Sequence, residues 1–192
     1  MEIWVSSIYD CVDAFSKLLD IEYVIILGRK SQNVTLQIEF RKIDLHHLLG
    51  FQHLIDRPEL NHDREKVFND LKKRKISATH IEKSHHYTKI KGRVDFLPYL
   101  EEIFDDNKTI FKYNEAMNNF SLIKFEYLLK NEILSKNVFT FLSKTKNEKY
   151  FCRSFFPQEK TDYSIGQTPW TLLYKKKINK KNGNEIILYD RR

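Results

Sequence analysis

A chain of 192 residues with 41% hydrophobic and 14% aromatic content can bury a substantial core, which excludes disorder as the default state. Its 33 Lys and Arg against 26 Asp and Glu leave a formal charge of +7, a mild pull toward polyanions and above all nucleic acid. A plain Lys-, Asn- and Ile-rich composition gives the same excess, so charge alone does not discriminate. Cys11 and Cys152 match no zinc or redox spacing and suit a reduced, cytoplasmic protein. No run approaches the roughly 18 apolar residues of a membrane span, and the opening MEIWVSS lacks the pattern of a secretory leader.

In chain order, SSIYDCVDAFSKLLD predicts an amphipathic helix. Ile8, Val12, Phe15 and Leu19 stand at helical steps, with Ser6 or Ser7 as cap. EYVIILGRK and NVTLQIEFRK predict two strands joined at SQN, the second with Val34, Leu36, Ile38 and Phe40 on one side. Residues 43 to about 105 read as helical. HDREKVFNDLKKRK gives a solvated helix entered at Asp63, and two further helices lie around Gly92, with Pro98 at a kink or start. After residue 108, short aromatic and β-branched runs separated by NEAMNN, NEILSK, KTKNEK, EKTDYSIGQ and NKKNGN predict an antiparallel meander, with KNGN the best hairpin turn. With no linker or repeat, the expectation is one α+β domain over 1–192. A helix-rich part with an early hairpin spans 1–108, and a curved antiparallel sheet spans 109–192.

IDLHHLLGFQHLID (43–56) carries three histidines. At about 100° per residue, Ile43, His47, Gly50, Phe51 and Leu54 share a helix face, with His46 and His53 on another. The histidine spacings of one, six and seven fit no helical zinc pair, so no metal or other cofactor is expected from this segment. His47 is therefore either a satisfied core histidine or an imidazole kept neutral by desolvation and poised as a general base. Gly50 leaves room for another chain segment to approach. KSHHYTKIKGR (83–93) places Lys83, His86 and Arg93 on one helical stripe, which suits phosphate but equally a solvated basic face. In YFCRSFF, simple alternation sets Tyr150, Cys152, Ser154 and Phe156 opposite Phe151, Arg153 and Phe155, so Arg153 or Ser154 can line a site, and a structural ion pair is the competing reading. Tyr163, Gln167 and Thr168 of TDYSIGQTPW can hydrogen-bond a base or sugar, or simply form a loop. No phosphate-binding glycine loop, dinucleotide fingerprint or nucleophile elbow occurs.

The order of these motifs resembles a known family. LHHLLG (45–50) after a hairpin, then EKSHHYTKIKGRV, then a late strand with RSFF, is similar to the fourth phage group of the barnase–EndoU–colicin–RelE-like nucleases, over about residues 20–176. The resemblance implies a metal-independent, barnase-like nuclease fold of the kind found in phage, toxin and mobile-element proteins. It also implies His47 as the family-like histidine, Lys83, Ser84 and Arg93 in the middle motif, and Ser154 in the late strand. No barnase-style general-base glutamate can be placed.

The expected function is RNA cleavage by attack of the 2′-hydroxyl on phosphorus. His47 would be base or acid, Arg93, Arg153 and Ser154 would act at the phosphate, and Lys83, Ser84, His86, Tyr163, Gln167 and Thr168 would bind substrate. RNA, tRNA included, is the expected partner, alongside an antitoxin, immunity or host protein, and no membrane. The alternatives are an inactive nuclease fold that binds RNA or a protein, such as an inhibitor of host defence, and a metal-dependent nuclease.

Overall fold

The first helix, α1 (Ile8–Leu18), begins where the sequence supplies a cap. The Ser7 hydroxyl accepts from the Asp10 N–H, and the Asp10 carboxylate accepts from the Ser7 N–H in return. The computed structural model describes residues 6–106, 109–117 and 125–192. The opening MEIWV, the end of NEAMNN and the start of the SLIKFEYLLK run lie outside them.

β1 (Ile21–Arg29) and β2 (Gln32–Glu39) form the expected hairpin. It turns at Lys30 and Ser31, whose φ of 46° and 64° give the twist that matches flanking strands. Five helices follow: α2 (Asp44–Leu49), α3 (Arg64–Lys72), α4 (Ala78–Glu82), α5 (Thr88–Phe96) and α6 (Leu100–Asp106). Asp63 caps α3 by accepting from the Glu65 and Lys66 N–H groups. Gly92 does not divide two helices, as its composition suggested, but lies inside α5. A Cβ there would stand 3.0 Å from Pro157 Cγ, so the glycine lets α5 press against a strand. The break falls instead at the 3-10 turn Leu97–Tyr99 that carries Pro98. No helix among the described residues is long and apolar enough to cross a membrane.

The remaining strands are β3 (Ile110–Lys112), β4 (Tyr127–Ile133), β5 (Lys136–Lys144), β6 (Tyr150–Pro157), β7 (Thr168–Asn179) and β8 (Glu185–Asp190). β4 runs through residues expected to turn; the reversal is confined to Leu134 and Ser135, at φ 49° and 61°. β5 is buried on both faces, which explains its nearly continuous apolar sequence.

The expected open meander is not what these strands make. They close into a seven-membered ring in the order β1-β2-β6-β5-β4-β3-β7, with β7 returning to β1 and β8 attached to β7 outside the ring. β7 is long enough to pair β3 over Thr168–Trp170 and β1 over Thr171–Asn179. The early hairpin is thus part of the wall. One junction is parallel: β2 meets β6 only at Ile38 and Tyr150. Beyond that contact the strands part, and α2 and α5 lie against β6.

Simple alternation also fails in β6. Phe141 pairs with Ser154, but Leu142 pairs with Cys152, leaving Arg153 as the extra residue of a β-bulge. Ser154 and Phe155 are consequently both buried, while Arg153 turns outward.

The main core packs α1, α3 and α6 onto the hairpin, with Phe15 edge-on to Phe40 and Phe68, and Tyr23 stacked on Phe104. Lys175, only 1% exposed, donates to the carbonyls of Phe104 and Asp105 in the last turn of α6. A second cluster of Tyr113, Phe125, Phe139, Phe141, Phe156 and Tyr163 covers the other surface of β5 and β6.

Candidate functional site

α2 is anchored at its start by Asp44. Its buried carboxylate accepts from the backbone and guanidinium of Arg41, which in turn lies 4.3 Å over the Phe151 ring of β6. Burial raises the Asp44 carboxyl, and Arg41 opposes that shift. The helix then stops after six residues, because Gly50 takes φ 77° and caps the His46 and His47 carbonyls. Phe51–His53 continues as a 3-10 turn.

That break corrects the helical-wheel reading. A single wheel cannot run from Ile43 to Leu54 through a left-handed glycine. The imidazole on the apolar side is His46, 3% exposed, set among Leu45, Phe51, Val67, Phe68 and Leu71 and edge-on to His47. Burial and then Arg64 lower its proton affinity. His47 is half-buried at the surface side of the helix.

His47 Nε2 accepts from Arg64 Nη1 at 2.8 Å. A guanidinium only donates, so this nitrogen carries a lone pair and the neutral ring keeps its proton on Nδ1. Burial, followed by the charges of Arg64, His46 and Arg153, lowers His47 from the ordinary 6.5 to about 4. Arg153 reaches this field because the bulge turns it out of the β6 alternation.

A second imidazole stands nearby. His53 Nε2 is 3.4 Å from the Gln52 side-chain nitrogen. Burial, then Arg93 and Lys89, lower His53 as well. Gly50 is where these groups meet. A Cβ on it would come within 2.9 Å of Arg93 Cδ and 3.2 Å of His53 Cδ2. The close approach that Gly50 permits is that of an arginine side chain.

Arg93 reaches from α5 to both other elements. Its Nη1 donates to the Phe155 carbonyl at 2.6 Å and to the His47 carbonyl at 3.4 Å, and its guanidinium lies 5.1 Å over the Phe156 ring. Burial lowers it from 12.5 to about 10, so it stays charged at neutral pH. Beside it opens a cleft of about 330 Å³, walled by Lys89, Phe156, Pro157 and the 159–163 segment. Among the described residues, Arg64, Arg93 and Arg153 form no ion pair with a carboxylate.

The structure thus brings His47, Arg93 and Arg153 together, with Tyr163 at the cleft and Ser154 buried beside the bulge. The other candidates are engaged elsewhere. Lys83 is exposed at the end of α4. Ser84 Oγ donates to Asp56 Oδ1 at 2.5 Å, the His85 N–H donates to Asp56 Oδ2, and the His86 N–H donates to Ser84 Oγ. These bonds hold the Asp56 carboxyl down near 2 and fasten the loop three residues beyond His53. Gln167 makes a two-way bond to the Asn114 backbone, and Thr168 opens β7 opposite Lys112.

Sequence reasoning passed over His53, Gln52 and Arg64. The glycine after LHHLL was the available signal, since a helix ending there resets the positions of Gln52 and His53. Nothing in the sequence marked Arg64 beyond its place in the first turn of α3. Among the described residues, no group of three or more His, Cys, Asp or Glu stands together as a metal-ligand set.

Comparison with curated proteins and with solved structures finds no significant match. Comparison with family models does, along nearly the whole length and across every residue of the cluster around His47. The chain belongs to the phage-Barnase-EndoU-ColicinE5/D-RelE like nuclease4 family, whose model matches residues 7–192.

Proposed function

We propose that this nuclease-family chain is a metal-independent endoribonuclease that cleaves RNA by transesterification. The observation that carries the reading is the neutral His47 imidazole, with its Nε2 lone pair inside a cluster of three arginines that have no carboxylate partner among the described residues. In this reading a phosphodiester enters the cluster and draws Arg64 away from His47 into a charge-assisted pair. His47 then takes the 2′-hydroxyl proton, and the freed oxygen attacks phosphorus to form a 2′,3′-cyclic phosphate. The leaving 5′-oxygen is protonated by the second imidazole, His53, whose proton affinity rises once the bound phosphate offsets Arg93 and Lys89. Arg93 and Arg153 stabilise the extra negative charge on the phosphorane, an effect worth on the order of 10²–10³ per donor in rate. Ser84 and Asp56 act one step removed, by fastening the loop that carries His53.

The test is incubation of the purified protein with labelled tRNA and total RNA, with and without chelator. Chelator-resistant fragments ending in 2′,3′-cyclic phosphate are expected; intact RNA, or cleavage that chelator abolishes, overturns the reading. One feature favours an inactive RNA-binding module instead: Arg64 already occupies the basic nitrogen of His47. That module would bind RNA in a salt-sensitive way and leave no cleavage products.

A further inference from the structure

We propose that the cleft beside Arg93 receives an unpaired nucleobase, which makes single-stranded RNA the substrate class of the site. The inference rests on the ribonuclease reading for its phosphate but on separate residues for its base. The cleft, about 330 Å³, is large enough for a planar heterocycle. Its apolar surfaces are Phe156, Pro157 and Tyr163, and Tyr163 stands edge-on to Phe156 with ring centroids 5.4 Å apart. Both rings are only partly buried, although each is backed by the fully buried Phe139 and Phe141. A rigid aromatic wall left half open to solvent is what a base stacks on, whatever its identity.

The polar groups stand at the rim. Glu159, Lys160 and Thr161 are exposed beside the wall and offer an acceptor, a donor and a hydroxyl toward the edge of a stacked base. Arg93 joins this cleft to the imidazole cluster. The same guanidinium that reaches the His47 carbonyl lies over Phe156, so a nucleotide with its phosphate near Arg93 has its base beside the wall. A base stacked in a duplex cannot enter such a cleft without leaving its partner.

The experiment uses the full chain and a 2′-O-methyl hexaribonucleotide, which cannot be cleaved by its own 2′-oxygen, carrying one 2-aminopurine. Binding is read as quenching of that fluorescent base and as anisotropy of an end label. The single strand is expected to bind with quenching, and its duplex at least about tenfold more weakly. Tyr163→Ala should weaken single-strand binding by about tenfold and abolish quenching. Because Tyr163 packs on Phe139 and Phe141, Thr161→Trp on the exposed rim serves as the second variant; it fills the cleft and should block quenching while melting as wild type does. Equal binding of strand and duplex, or quenching that survives Thr161→Trp, overturns the proposal. Absence of cleavage on natural RNA with these binding results intact would overturn the ribonuclease reading and leave the base cleft standing.

Discussion

Where β1 and β7 meet, Lys177 donates to both Glu101 and Asp105, at 2.6 and 2.8 Å, and Lys181 pairs with Asp20. Lys149 bridges Glu22 and Glu39 across the neighbouring strands. Around α2, α5 and β6 of the same ring, Arg64, Arg93 and Arg153 face an imidazole, two carbonyls, an aromatic ring and open solvent instead. The difference separates two uses of positive charge. A lysine with a carboxylate beside it projects little field, and such surface pairs contribute only about 0–1 kcal/mol each. An arginine without one keeps its field for its neighbours, here by adding to the burial that lowers His47 and His53. The net charge of the chain says nothing about which lysines and arginines belong to which set.

The contrast can be broken most sharply at His47. His47→Ala should lower cleavage on the order of 10²–10⁴-fold, with a melting temperature near wild type, since the ring is only half-buried. A variant that simply unfolds would show that the imidazole serves the core. Arg153→Ala comes next, with kcat reduced about 10²-fold. Because the bulge leaves this side chain exposed, its circular-dichroism melt should not move. The salt slope of RNA binding should shrink by about one.

Arg64→Gln sharpens the electrostatic half of the comparison. An unfolded histidine takes its proton near 6.5 and folded His47 only near 4. The stability this shift represents is therefore fully present above 6.5 and is lost as pH falls through 4. Removing Arg64 should move the His47 imidazole resonances, followed by NMR titration, back toward 6.5. It should also shift the acid limb of the rate profile upward and flatten the loss of stability in that window. On the other flank, Lys177→Ala should leave cleavage unchanged and cost about 1 kcal/mol in denaturant unfolding. A change in kcat there would erase the distinction between the flanks.

Local chemistry made much of the fold readable. The Ser7 cap, the β1–β2 hairpin and the β7–β8 turn at KNGN all follow from residues close in sequence. Closure of the ring does not, because β1 and β7 find each other across most of the chain and neither pattern names its partner. The site divides the same way. His47 and Arg93 stood out from residue type and motif, yet the face assigned to His47 was wrong once Gly50 ended the helix. Arg153 could not be oriented from alternation because a bulge is a property of two strands, and YFCRSFF shows only one. His53 and Arg64 enter the cluster through tertiary packing alone.

The bond from Arg93 to the Phe155 carbonyl spans 62 residues, and its contact with His47 spans 46. A chain emerging from the ribosome therefore displays His47 and its near partner Arg64 long before β6 is there to hold Arg93 against them. Even with β6 complete, the wall stays open until β7 has been made and paired with β1, and long-range pairings of that kind form slowly. The cationic cluster is completed late in synthesis, so a fragment of this nuclease-family protein ending before β6 carries the imidazoles and Arg64 without Arg153 or the Phe155 carbonyl that holds Arg93.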